Sequence, residues 1–95
     1  MTKEQELMSY LHKQVFDPIL NSPVASEKLK QGVRLTIVRM NQRDAAGMRQ
    51  YYWSAVYGTD KSIKFADLMK AEGFTRFEEI LVDFRRIFDD KWLHS

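Results

Sequence analysis

The residue types that perform most enzyme chemistry are scarce in this sequence, and their spacing does not favour catalysis. The 95 residues contain no cysteine and only two histidines, His12 and His94. Thiol nucleophiles and cysteine zinc sites are therefore excluded, and the histidines are not at the spacing of a metal-binding pair. There is no glycine-rich phosphate loop, and no serine stands in a nucleophile-elbow pattern. We predict a protein that is not an enzyme and that uses no cofactor.

Carboxylates near the end of the chain form the cluster that most resembles a cation site. Glu79 and Asp83 are four residues apart, on one face of a predicted helix, and Asp90 follows them. Oxygen ligands of this kind suit Ca²⁺ or Mg²⁺. Di-metal helical bundles add a histidine three residues after a glutamate, and that histidine is missing here. We therefore predict no metal, and we expect these acids to solubilise the helix, with surface ion pairs between Arg85 and Asp89 and between Arg86 and Asp90.

Charge is distributed unevenly along the chain, although the formal net charge is only +2. Residues 28–49 carry six basic side chains and one acidic side chain, whereas residues 77–90 carry five acids and two arginines. Clustered cations can neutralise phosphates, so nucleic-acid binding is the alternative function. Its candidate contacts are Lys28, Lys30, Arg34, Arg39 and Arg43. We favour a solvated surface with ion pairs to the acidic last helix, because at helical spacing these cations occupy two flanks rather than one stripe.

The segment 44–58 carries large side chains around the whole circumference of a predicted helix. Arg49, Trp53 and Tyr57 share one face at 3.6 residues per turn, while Tyr51 and Tyr52 lie on other faces. The two tyrosines are candidates for lining a small-ligand pocket, and packing in the core is the alternative that we favour for them. Aromatic side chains and arginine are enriched where protein surfaces meet. We therefore predict that Arg49, Trp53 and Tyr57 form a subunit or partner interface.

Hydrophobic periodicity predicts the elements that position these side chains. We expect an all-α fold, a single compact bundle of about five helices, four long and one short, that forms one helical domain over residues 1–95. The predicted spans are 2–17, with a stop or kink at Pro18, then 22–41, 44–58, 62–72 and 75–92. Capping boxes at Thr2 and Thr75 mark the starts of the first and last helices. Gly32 is expected to allow close packing against Gly47.

The second span also alternates apolar and polar residues, as a strand would. We favour a helix because four apolar side chains gather on one helical face at 100° per residue. They are Leu29, Val33, Ile37 and Met40.

The function predicted from these patterns is protein–protein contact, with self-association as the expected form. The lack of cysteine is typical of a reducing compartment. The N-terminal segment is charged from Lys3 onward and has no apolar run like that of a signal peptide, and no stretch reaches the length of a membrane span. We therefore expect a cytoplasmic protein without membrane contact, whose partner is a second copy or another protein.

Overall fold

The computed structural model describes residues 1–58 and 60–95, with the side chains of residues 1–58 and 65–95. These residues form helices without any strand, so the prediction of an all-α fold is confirmed. The segments are α1 (Lys3–Leu11), a π-helical turn (His12–Phe16), α2 (Asp17–Leu20), α3 (Glu27–Asn41), α4 (Ala45–Tyr57), α5 (Asp60–Ala71), α6 (Arg76–Glu79), α7 (Leu81–Ile87) and α8 (Asp90–Leu93). The radius of gyration is 12.9 Å, close to the value of about 13 Å typical of a compact chain of 100 residues.

The first helix begins as its sequence predicts, and the chain continues past Pro18 through the π-helical turn. The Thr2 hydroxyl accepts from the Gln5 backbone at 3.1 Å, and the Gln5 side chain accepts from the Thr2 backbone at 2.9 Å. The predicted capping box is therefore confirmed. Because Pro18 lacks an N–H, the backbone ahead of it shifts to π-helical bonding, in which the Asp17 N–H reaches the His12 carbonyl. The chain then stays helical to Leu20.

The second predicted helix exists but begins later than its sequence suggests. The Ser22 hydroxyl bonds to the backbone N–H of Val24 in a tight turn, and Ser26 is the N-cap of α3. Ser26 holds this position because both its N–H and its hydroxyl donate to the Glu72 carboxylate, each at 2.7 Å. The expected start at Ser22 is wrong. The contact that places the start at Ser26 is made with Glu72, 46 residues away, so the local sequence does not reveal it. The predicted apolar face is confirmed, since Leu29, Val33 and Met40 are buried and Ile37 packs against them.

Helices α4 and α5 form a hairpin that supplies much of the core. Asp44 caps α4 by accepting from the Gly47 N–H at 2.8 Å. Gly73, at φ +89°, ends the hairpin with a Schellman motif in which Phe74 donates to the Met69 carbonyl. Gly32 does not meet Gly47 as expected, because it faces the ring of Phe65 in α5.

The predicted last helix is divided into three short helices. Thr75 makes no capping bond to the Glu78 backbone, and its hydroxyl donates to the Glu79 carboxylate instead, so the predicted capping box is wrong. The chain leaves the helical conformation at Phe88, and Asp89 caps a new helix, α8. This bend turns Trp92 back onto Phe88, with ring centroids 4.8 Å apart. It also removes the helical register on which an Arg85–Asp89 pair depends.

Candidate functional site

Trp53 and Tyr57 form an aromatic pair on the outside of α4. They are one helical turn apart, and their ring centroids are separated by 4.4 Å at an interplanar angle of 42°. Trp53 is half-buried, whereas Tyr57 is 62% exposed. Together with Arg49, one turn earlier, they make the surface that we call the α4 patch. The three residues predicted from sequence therefore share one face of α4, as expected from their spacing.

Arg49 points from the α4 patch towards the bend between α7 and α8. Its guanidinium donates to the Phe88 carbonyl at 3.3 Å and lies 2.9 Å from an Asp90 carboxylate oxygen. The Phe88 carbonyl stands where α7 ends, so Arg49 supplies a donor to a helix terminus. The Arg49 side chain is 29% exposed, because these contacts draw it inward. Arg49 therefore links the α4 patch to the α7–α8 bend, and its charge is paired with Asp90.

Arg85 belongs to the same surface, although sequence analysis did not place it there. Its guanidinium carbon lies 4.3 Å from the centroid of the Trp53 ring, which is a close cation–π contact. Trp53 thus contacts both the Tyr57 ring and the Arg85 guanidinium. No spacing rule links positions 53 and 85. Arg85 is free to contact Trp53 because the bend at Phe88 separates it from its expected partner, Asp89. That bend is visible only in the folded structure.

An open cleft lies beside the α4 patch, between α4 and the α7–α8 bend. Its volume is about 320 Å³. The lining residues are Arg49, Gln50, Trp53, Phe84, Arg85, Phe88, Asp89 and Asp90. Two arginines and two aspartates balance in charge, and Arg49 is paired with Asp90. The lining offers an aromatic wall and amide and carboxylate groups, which suit binding of a side chain or a small polar group.

Tyr51 and Tyr52, the candidate pocket residues, do not line this cleft. Tyr52 is 4% exposed, its hydroxyl donates to the Phe77 carbonyl at 2.5 Å, and its ring lies 4.6 Å from that of Phe84. Burial raises the pKa of the Tyr52 hydroxyl well above its ordinary value of 10.0. Tyr51 is half-buried beneath the Arg43 guanidinium, 5.0 Å from the ring centroid. Tyr52 is thus a core residue, and Tyr51 packs against the edge of the core.

The five candidate nucleic-acid contacts lie around the outer side of α3 and at its end. Lys28, Arg34, Arg39 and Arg43 are exposed, and Lys30 is half-buried. The expected ion pairs between this basic stretch and the acidic last helix are largely absent among the described side chains, where Arg49–Asp90 is the pair that joins them. Three of the other acids are paired locally: Glu78 with Lys70 at 2.6 Å, Glu79 with Arg76 at 3.8 Å and Asp83 with Arg86 at 3.2 Å. The fourth, Asp89, caps α8.

A second groove lies beside the π-helical turn. Its volume is about 280 Å³, and His12, Ser9, Arg43 and Met48 are among its lining residues. His12 Nδ1 lies 3.0 Å from an Asp17 carboxylate oxygen, which fixes the ring at the groove edge. Within the described part of the chain, no three histidine or acidic side chains are grouped closely enough to hold a metal ion. The carboxylates at positions 79, 83 and 90 are exposed, and each is paired with an arginine.

Comparison with known proteins gave no relative from which a function could be inferred. The sequence matches no protein-family model, and searches of curated proteins and of solved structures found no match. Among the described residues, no helix is both long enough and apolar enough to cross a membrane.

Proposed function

We propose that this protein acts through protein–protein contact and that it self-associates through the α4 patch. The observation that carries the proposal is the aromatic pair itself. Tyr57 is 62% exposed and packs at a tilt against Trp53 beside an open cleft. Large aromatic side chains that remain exposed at the rim of a pocket are typical anchors of protein interfaces. The absence of cysteine suits a reducing compartment, and we assign the protein to the cytoplasm on that basis.

The packing of Trp53 favours its use as an anchor. Tyr57 and Arg85 both contact the indole, so the ring has less rotamer freedom left to lose on binding. Immobilising a free side chain at an interface costs about 0.5–1.5 kcal/mol, and a ring that is already held avoids much of that cost. Arg49 also stabilises the patch, because it donates a hydrogen bond to the Phe88 carbonyl.

A symmetric dimer would use the same patch on both copies. In such an isologous contact, Tyr57 of one copy faces the cleft beside Trp53 of the other, and the reverse contact follows from the two-fold axis. The cleft, at about 320 Å³, lies at the lower end of the range for ligand pockets and suits a single side chain. Two tyrosines buried in this way would form the centre of the interface.

Sedimentation velocity at tens of micromolar tests this proposal with a matched pair of variants. Tyr57→Glu places a charge in the α4 patch, whereas Val24→Glu makes the same kind of change at a valine that is 76% exposed in the turn before α3. We expect wild type and Val24→Glu to be oligomeric and Tyr57→Glu to be monomeric. A monomeric wild type would refute self-association, and an oligomeric Tyr57→Glu would refute the assignment to this patch.

Nucleic-acid binding by the basic residues around α3 is the second candidate function. Its support is the exposure of Lys28, Arg34, Arg39 and Arg43. A titration with duplex DNA at two salt concentrations tests it, because phosphate contacts must weaken steeply as salt rises. Binding at low salt that falls with added salt would favour this function, and no binding at low salt would end it.

A further inference from the structure

The outward side of α3 has apolar side chains in solvent that the α4 patch does not involve. Leu35 is 49% exposed and Val38 is 53% exposed, although both belong to a helix whose opposite face is fully packed. Val33 and Met40, on that inner face, are 1% and 0% exposed. Helix α3 therefore has two apolar faces, and the fold covers one of them.

The spacing on the exposed face is that of a helix-packing seam. Gln31, Leu35, Val38 and Gln42 follow one another at intervals of four, three and four residues. This interval pattern brings side chains to one line of contact with a second helix. We call these four positions the α3 seam. The two apolar side chains form its centre, and the two amides lie at its ends.

Cations border the α3 seam on both sides. At 100° per residue, Lys28 and Arg39 fall on one flank, and Arg34 falls on the other beside Glu27. Arg34 lies 3.6 Å from Glu27, but both side chains are more than half exposed, so this pair contributes little and can exchange for a new partner. The face thus combines an apolar line with a positive border.

We propose that the α3 seam docks an acidic amphipathic helix of another protein. Leu35 and Val38 would pack between the apolar side chains of the incoming helix, and the flanking cations would pair with its acids. Flanking charges of this kind select the partner and its orientation in helix pairs. The proposal concerns a surface separate from the α4 patch, so it does not depend on self-association.

A second copy of this chain does not supply the required occupant. Two α3 seams placed together would bring cations against cations, which is unfavourable. The acidic segment 77–90 could offer opposite charge, but it is divided into short helices whose main apolar side chains are buried in their own core, so it offers no free amphipathic helix. A foreign acidic helix is the partner that meets both the apolar and the charge requirements.

The arrangement fits a helix better than nucleic acid or a membrane surface. Phosphates would meet two separated cationic flanks with Leu35 and Val38 between them, rather than one continuous basic stripe. Membrane-surface helices bury a broad apolar face about 5–10 Å into the lipid, and α3 has only two exposed apolar side chains to insert. A narrow seam with two apolar residues along its length matches the line of contact between two packed helices.

A designed peptide tests the proposal directly. The probe is a helix of about three heptads, with leucine at a and d and glutamate at e and g, which slightly exceeds the 15 residues of α3. Isothermal titration calorimetry compares wild type with the double variant Leu35→Ser and Val38→Ser. The control, Val24→Ser with Val82→Ser, removes valines that are 76% and 77% exposed elsewhere. We expect the seam variant to bind at least about tenfold more weakly and the control to bind like wild type.

Three further measurements separate the proposal from general charge attraction. A scrambled peptide of the same composition should bind at least about tenfold more weakly than the heptad peptide. Replacing the glutamates of the heptad peptide with lysines should abolish binding. Equal affinity for the scrambled peptide, or equal losses in the seam and control variants, would overturn the proposal. Tighter binding to duplex DNA or to phosphatidylglycerol vesicles than to the heptad peptide would also overturn it. Far-UV circular dichroism confirms that each variant remains folded.

Discussion

Replacing Tyr52 with phenylalanine tests how α4 is joined to the last third of the chain. The Tyr52 ring is 4% exposed, and its hydroxyl donates to the Phe77 carbonyl at 2.5 Å. Tyr52→Phe retains the ring and its contact with Phe84, so the change removes one buried hydrogen bond and creates no sizeable cavity. We expect the free energy of unfolding to fall by about 1–2 kcal/mol at pH 7, because a buried carbonyl loses its donor.

The same hydroxyl makes stability depend on pH in the alkaline range. Burial, with a smaller contribution from nearby Tyr10, raises the pKa of Tyr52 above its ordinary value of 10.0. The unfolded chain therefore releases this proton at a lower pH than the folded chain does. The contribution is complete below pH 10 and is lost as pH rises from there towards the folded-state pKa. The loss approaches about 1.4 kcal/mol for each pH unit above 10.

Urea unfolding at pH 7, 10 and 11, followed by circular dichroism, measures both effects. Wild type and Tyr52→Phe share every other titrating group, including Tyr10, so their difference isolates the Tyr52 hydroxyl. We expect the wild-type advantage of about 1–2 kcal/mol at pH 7 to shrink to near zero by pH 11. A difference that stays constant across this range would refute the buried, hydrogen-bonded placement of the hydroxyl.

Two further predictions concern contacts between distant parts of the chain. A β-carbon added at Gly32 would lie 2.5 Å from the Phe65 ring, whereas one added at Gly47 would meet nothing closer than 3.1 Å. Urea unfolding should therefore show that Gly32→Ala is less stable than Gly47→Ala by about 1–3 kcal/mol. Hydrogen bonds from the Ser26 hydroxyl and N–H hold the pKa of Glu72 below its ordinary 4.5, a contribution to stability that is lost as pH falls below that value. In Ser26→Ala, an NMR titration should show this pKa move back towards 4.5, and an unchanged pKa would contradict the assignment.

The sequence predicted features that depend on neighbours a few residues away. The Thr2 capping box and the buried face of α3 are examples, because each follows from spacing within one helix. The start of α3 at Ser26 depends on Glu72, which is 46 residues distant. Likewise, the bend at Phe88 has no glycine or proline beside it, and the Phe88 ring packs against rings of α1, α7 and α8. Features fixed by such distant contacts could not be read from periodicity.

That bend also explains why the residues of the α4 patch have different roles. Had the last helix continued, Arg85 would face Asp89 along one helix side, and Trp53 would lose its cation–π partner. Because the helix stops at Phe88, Arg49 bonds to the freed carbonyl and Arg85 covers the indole. Sequence spacing groups Arg49, Trp53 and Tyr57 as equals, but the contacts leave Tyr57 as the exposed member and make Arg49 its support.

The two proposed surfaces can be distinguished because their chemistry differs. The α4 patch has an aromatic centre, and the cleft beside it is lined by two arginines and two aspartates, so its contact should depend weakly on salt. The α3 seam is bordered by cations, so binding of an acidic helix should weaken as salt rises. Tyr57→Glu should therefore abolish oligomers and leave binding of the heptad peptide intact. Leu35→Ser with Val38→Ser should do the opposite, and loss of both properties in either variant would show that the two surfaces are not independent.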